Sequence, residues 1–484
     1  MDRLNELIVS ATDVFWLWLL IPLLVLLSLY FTVRLGVVQI RLVPEMLRQF
    51  RGKPETAADG KKAVSPFQAF SISAAARIGT GNVVGVAGAI AIGGPGAVFW
   101  MWVMALLVGA ASFVESTLAQ LYKARDSKGF HGGPAYYMTR GLNARWAGVI
   151  FAVLITVTFG FVFNAVQSNT ISGAVQTSVE AAGAEVPGWL PVLVGLALVA
   201  VTAAVVFGGV RRIAQVAQAL VPFMALFYIL MGLAVVALNA EKILPMLTLI
   251  VQSAFGLREV AGAALGTVIV QGVRRGMFSN EAGLGSAPNA AATASVSHPV
   301  KQGLLQTFGV YFDTLVICSM TAFLILVSDP VYGEERGPAL TQEALQAGLG
   351  SWSLHALTAV LLLLAFTSVL GNYYYGEANV RFLSGKRGVM LGFQLIFLVA
   401  TFLGAIGKVD VVWSLADTTM GLMAMVNLLA IAPLGGIALL LLKDYVEQRR
   451  QGLDPVFTRD RLPQLRNVEC WEPARPEAEP AAER

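Results

Sequence analysis

Charge is the first thing this chain has little of. Charged residues make up 13% of its 484 positions, about half the share usual in soluble domains. Cysteine is scarcer still: Cys318 lies within an apolar run and Cys470 near the C-terminus, so no disulfide framework is expected. The three histidines, His131, His298 and His355, lie near the ends of apolar stretches with no metal-ligand spacing. Each reads as structural or interfacial. With no nucleophile beside a base and no metal cluster, an enzyme is not expected. The first residues carry Asp2, Glu6 and Asp13 against a single Arg3, and no small-residue cleavage site follows, so no cleavable signal peptide is expected. A net charge of +4 would suit nucleic acid. Here the basic residues collect in alternate loops between apolar stretches, as orientation signals do, and no nucleic-acid partner is expected.

What the chain has in abundance is apolar length. It is 56% hydrophobic, with a mean hydropathy of +0.69. Eleven apolar stretches fall at about 14–33, 66–91, 95–121, 145–176, 189–207, 213–238, 257–284, 302–328, 351–376, 388–406 and 410–442. Each approaches or exceeds the ~20 residues that cross ~30 Å of hydrocarbon. They are numbered here as spans one to eleven. Arg34, Arg41, Arg48, Arg51, Lys53, Lys61 and Lys62 separate spans one and two; Lys123, Arg125, Lys128, Arg140 and Arg145 follow span three. Arg211 and Arg212 follow span five, Arg381, Lys386 and Arg387 span nine, and Lys443, Arg449 and Arg450 span eleven. Acidic residues dominate the other loops, with Glu180 and Glu185 in one and Asp329, Glu334, Glu335 and Glu343 in another. By the positive-inside rule the N-terminus (1–13) is extracellular and the C-terminus cytoplasmic, in a multi-pass protein of the cell membrane surrounded by lipid. An odd number of spans is then required, and eleven satisfies it. Residues 34–65 read as a basic amphipathic cytoplasmic segment. Residues 446–484, rich in Arg, Glu and Pro, read as a disordered cytoplasmic tail.

Two spans are too rich in glycine and polar residues for ordinary lipid-facing helices. Span two holds Arg77-Ile78-Gly79-Thr80-Gly81-Asn82, and span seven holds Arg275 to Gly285 with Ser279, Asn280 and Glu281. Backbone groups freed by a break must find partners in protein, water or a solute, because lipid offers none. The breaks lie about 200 residues apart, and each opens a run of five spans, 66–240 and 241–445. The loop charges make spans two and seven antiparallel. Discontinuous helices at matching places in two halves point to an inverted-repeat transporter with its site at the midplane. The expected fold is therefore an all-α integral membrane protein of about eleven helices. It has one extra N-terminal helix before a 5+5 inverted repeat with two discontinuous helices. Glycine in membrane helices also serves close packing. Arg, Asn, Glu and Ser in the same segments favour a site, since a buried charge costs at least ~2.5 kcal/mol at the helix centre.

Span four carries Asn164, Gln167, Ser168, Asn169 and Thr170, of which Asn164, Gln167 and Thr170 share a face. The spacing leaves open whether this stripe joins helices or binds a solute. Thr367 and Ser368 in span nine offer hydroxyls to a hard cation, or back-bond to their own helix. Glu115, Asp313 and Asp417 lie within spans and must pair, protonate or hold a cation. A structural ion pair is the expected role of Glu115 and Asp417, with Arg77, Arg274 and Arg275 as possible partners, and for Asp313 the roles stay open.

Ile78-Gly79-Thr80-Gly81-Asn82, Gly93 to Trp102 (GGPGAVFWMW), Phe278 to Ser286 and Gly371 to Glu377 resemble the signature of the alanine or glycine:cation symporters, over residues 14–445. The resemblance implies the fold of the neurotransmitter:sodium symporters plus one N-terminal helix. It implies sodium-coupled symport of a small neutral amino acid, alanine- or glycine-like, into the cell by alternating access. The co-transported Na+ is a cargo ion, not a prosthetic group. Carried over, the substrate carboxylate meets the amides of Gly79, Thr80 and Gly81. Its amino group meets carbonyls near Ile78 and Met277 to Ser279, with Gln167 and Phe278 lining the pocket. One sodium lies between the carbonyls of Ala75 and Ile78 and the hydroxyls of Thr367 and Ser368, and Asn82 is a ligand for a second. Many members have Trp where this chain has Asn372. The small amide enlarges the pocket or adds a hydrogen bond, so a strict preference for alanine or glycine is not expected. Proton coupling through Glu281 or Asp313 is the alternative.

Overall fold

The computed structural model describes residues 10–52, 62–126, 129–258, 264–328, 330, 332, 339–407 and 409–472, with the backbone alone for 409–412. Asp2, Arg3, Glu6, Lys53, Lys61, Lys128, Asp329, Glu334, Glu335 and the proline-rich residues 473–484 lie outside the described residues. Every expected apolar stretch contains helix. Among the described residues, eight helices are long and apolar enough to cross a membrane: Ser10–Arg34, Gly96–Leu121, Arg145–Ala181, Gly209–Leu238, Pro299–Val327, Ser351–Leu383, Arg387–Ile406 and Trp413–Arg450. The bent pair Pro66–Arg77 and Gly81–Gly93 makes a ninth. Leu190–Val206 and Leu265–Asn280 are shorter, at 17 and 16 residues, and the expected count of eleven rests on these two. This is a multi-pass membrane protein.

Burial follows the bilayer. The tenth span exposes Leu391, Leu395, Ile396 and Val399 and buries Phe393, Phe397 and Thr401, so its apolar outer face suits lipid. The third span is enclosed instead: every residue from Val108 to Leu121 is buried, against the seventh and eighth spans. The GGPG turn explains itself sterically. Gly94 has a positive φ of 70°, and a methyl on Gly96 would lie 2.6 Å from the Ala254 nitrogen. Trp100 then donates its indole N–H to the Ala254 carbonyl at 3.0 Å, docking the helix Ile243–Ala254.

The second span starts on Ser65, which forms a capping box with Gln68 ahead of Pro66 at the first turn. It stops at Arg77, where Ile78 takes a non-helical ψ of 81°, and restarts at Gly81 with a bend of 47°. The seventh span differs from the expectation. Its helix stays wound through Gly276, Met277 and Asn280, and the break falls at 281–286 instead of from Arg275 onward. Glu281 adopts a left-handed φ of 57°, and Gly283 and Gly285 follow at 79° and 78°, before the short helix Ala287–Ala291.

Two further expectations are corrected. Residues 451–472 are not a disordered tail: Phe457 and Trp471 are buried, and the Trp471 indole donates to the carbonyls of Gln120 and Leu121. The segment after Arg34, expected to include one basic amphipathic helix, is divided in its described part into three short helices, Val38–Arg41, Val43–Arg48 and Gln49–Arg51. A hairpin pairing Ala124–Asp126 with Gly129–His131 interrupts the all-helical architecture.

Candidate functional site

The first break lies against the end of the wound helix of span seven. A methyl on Gly81 would sit 2.8 Å from the Phe278 ring and 3.2 Å from the Ser279 Cα. One on Gly79 would sit 2.1 Å from Ser368 Oγ and 3.3 Å from Gln167 Oε1. The absence of side chains at 79 and 81 therefore lets the unwound backbone meet spans four, seven and nine at once. The substrate and sodium residues carried over from the resemblance are all buried.

The freed backbone groups of the first break find side-chain partners, as burial demands. The Gly79 N–H donates to Asn82 Oδ1 at 2.9 Å, and the Asn82 carbonyl accepts from Thr321 at 2.6 Å. The Thr80 N–H reaches only Gln167 Oε1, at 3.3 Å, at the start of the half-helix Gly81–Gly93. Ser368 Oγ donates to the Ala75 carbonyl at 2.8 Å and lies 3.0 Å from the Leu364 carbonyl. The structure thus brings Ala75, Gly79, Thr80, Gln167 and Ser368 together. Thr367 turns elsewhere: its hydroxyl lies 2.9 Å from the Leu364 carbonyl and 3.5 Å from Met224 Sδ. The Met277 carbonyl accepts the Glu281 N–H at 2.9 Å as the cap of its helix.

The polar stripe of span four divides its labour. Asn164 donates to Thr401 at 2.7 Å and Asn169 to the Gly407 carbonyl at 2.8 Å, so both join helices, while Gln167 faces the break. Asn82 also donates to Asp313 at 2.6 Å, and Ser279 donates to the other Asp313 oxygen at 2.7 Å. Asp313 therefore ties the restart of span two to the end of span seven.

The second break is held by Glu115, which accepts the N–H groups of Gly283 at 3.1 Å and Gly285 at 3.2 Å and the Asn427 amide at 2.7 Å. The expected ion pair at Glu115 is corrected: in place of a cation, backbone amides of a turn and the Asn427 side chain donate to the buried carboxylate. Asp417 does sit in an ion pair, with Arg275 at 3.1 Å and Arg274 at 3.4 Å. Arg274 also reaches Asp13 at 2.7 Å. Arg275 lies over the Trp413 ring at 4.9 Å, and Trp413 packs on Phe278 at 5.0 Å. Phe163 packs on the Phe278 ring from span four at 4.6 Å. Sequence reasoning missed Phe163 and Trp413, because an aromatic in an apolar run carries no mark of which side it faces.

A family model described as the sodium:alanine symporter family matches residues 1–459. The chain belongs to that family. Among its relatives, the Bacillus subtilis (strain 168) protein named "Probable sodium/glutamine symporter GlnT" is 50% identical over 473 residues, covering 97% of each chain. The sodium/alanine symporter AgcS of Methanococcus maripaludis is 37% identical over 455 residues, covering 92% of this chain and 98% of that one. Of solved structures, MhsT in complex with L-phenylalanine aligns with a TM-score of 0.57 at 13% identity. The alignment covers 79% of this chain and 98% of that one. At that identity the match speaks to fold, and the fold is the transporter architecture expected from the broken helices.

Proposed function

We propose that this chain is a secondary active transporter that moves a small neutral amino acid into the cell together with sodium, by alternating access. One observation carries the site assignment. Among the described residues the Thr80 N–H, at the start of a half-helix, has only a long contact to a side-chain oxygen, where Gly79 and Gly81 let Ser368, Gln167 and Phe278 close on the unwound backbone. A substrate carboxylate replaces the Gln167 oxygen there with a charged acceptor at the positive end of a helix dipole. The Ala75 carbonyl and Ser368 hydroxyl converge beside it and offer oxygens to sodium, a hard cation. Ile78 and Thr367 complete that set once the Thr367 hydroxyl turns from its own helix. Asn82 serves a second ion. Met277, Phe278 and Ser279 form the opposite wall, and Asn372 the floor. The relatives' names include alanine and glutamine, both neutral amino acids.

Sodium orders the broken segments, and the amino acid then meets a formed site; this is a linkage of binding free energies. One charge crossing 100 mV is worth ~2.3 kcal/mol. That supports about 40-fold accumulation before the sodium gradient is counted. The basic loops face the cytoplasm: Arg381 meets Asp126 at 2.8 Å, Arg140 meets Glu469 at 2.8 Å and Arg449 meets Glu45 at 3.4 Å, all joining loops read as cytoplasmic. The Arg275–Asp417–Trp413 group then closes the site toward the outside.

Equilibrium binding of labelled alanine to detergent-purified protein tests the coupling. Replacing potassium by sodium is expected to tighten binding at least ~5-fold, and Ser368→Ala to abolish most of that gain. Equal affinity in the two salts would sink the cation site.

A further inference from the structure

The ninth span carries two buried asparagines in contrasting states. The Asn379 amide donates to Asn289 Oδ1 and to the Tyr375 carbonyl, both at 2.9 Å. Asn372 is 1% exposed, and its amide nitrogen has no acceptor among the described residues. A buried donor left unpaired is destabilising, and such groups mark places where the fold serves something besides its own stability.

Its position is set by neighbours on one unbroken helix, Ser351–Leu383. Ser368 lies one turn earlier on the same face and presses on Gly79, while a methyl on Gly371 would sit 2.9 Å from the Ala76 nitrogen. Three residues later, the Tyr375 ring meets Phe159 at 5.1 Å, and Phe159 leads through Phe163 to Phe278. Asn372 therefore stands between the unwound segment and the aromatic wall of the site.

We propose that Asn372 is a specificity-determining residue that reads the side-chain carboxamide of a neutral amino acid such as glutamine. This rests on the transport reading above. An amide facing an amide exchanges two hydrogen bonds, one donated and one accepted, whichever way the asparagine is turned. Alanine leaves the Asn372 donor unpaired. An apolar side chain of glutamine's length does the same and fills the space besides, and a carboxylate side chain can accept from Asn372 but offers its carbonyl no donor. The preferred class is thus the neutral carboxamides, ahead of apolar amino acids of equal size.

The test uses the full chain in proteoliposomes under an inward sodium gradient, with labelled alanine as reporter. Unlabelled glutamine and methionine compete; they are close in length and differ in the carboxamide. In the wild-type protein, glutamine is expected to inhibit at least ~10-fold more strongly than methionine, since a site built to hydrogen-bond a group rejects analogues lacking it. In Asn372→Leu that ratio is expected to fall to about one, and Asn372→Asp, which keeps the volume and removes the donor, to lower it as well. Equal inhibition in the wild-type protein overturns the assignment without any variant, and so does a preference that survives both substitutions. Absence of sodium-dependent uptake for alanine and glutamine alike would instead overturn the transport reading beneath it.

Discussion

Gly79 shows how much of this site rests on single atoms that are missing. Its amide is held by Asn82 Oδ1, and the space a methyl would need is taken by Ser368 Oγ, itself held on the Ala75 carbonyl. Gly79→Ala therefore forces apart the contact between the unwound segment and span nine, at a cost of about 1–3 kcal/mol for overpacking. The expected outcome is folded protein with sodium-driven alanine uptake lost, read by uptake alongside a melting curve; normal uptake would mean that the contact is incidental. At this scale the sequence was informative where chemistry and spacing coincide. Gly-Thr-Gly-Asn marked the first break, and Gln167 was picked out as a pocket residue by the resemblance. It could not say that Asn164, on the same stripe, serves Thr401 instead, because that depends on where the tenth span packs. Thr367 and Ser368 looked equivalent as neighbours on a helix, yet only Ser368 turns toward the break.

At the scale of elements, the second break was legible in kind and misplaced by a few residues. Gly276 suggested an early interruption, but it lies in intact helix, where an added methyl would meet the Met101 Cα at an ordinary 3.6 Å. The chain leaves the helix at Glu281, a non-glycine in left-handed conformation with no local sequence mark. What holds it there comes from far away in the chain: Glu115 on span three and Asn427 on span eleven take the freed groups of Gly283 and Gly285. Glu115→Gln puts an N–H donor against donors it must accept from, costing about 1–3 kcal/mol for a buried group left unsatisfied. Its melting temperature in detergent is expected to fall below wild type, with uptake per folded molecule reduced because the short helix Ala287–Ala291 loses its approach. An unchanged melting temperature would show that the turn holds itself.

At the scale of the whole molecule, the membrane class, the helical architecture and the antiparallel pairing of two broken spans were readable from apolar run length, loop charge and glycine placement. These are averages over many residues and survive local error. The return of the tail was not readable, since Pro, Glu and Arg dominate its composition while two aromatics, Phe457 and Trp471, carry its packing. Trp471 reaches the end of span three and takes Lys123 over its ring at 4.6 Å, so residues 457–472 are part of the face where the basic loops gather.

The most direct test of the account is flux. Purified protein in proteoliposomes is given labelled alanine under an inward sodium gradient, an inward potassium gradient, and sodium with a protonophore. Concentrative uptake is expected with sodium and none with potassium, and the sodium-driven uptake is expected to survive the protonophore. Uptake indifferent to sodium and collapsed by the protonophore would contradict it, and would move the coupling to a buried carboxylate, Glu281 or Asp313.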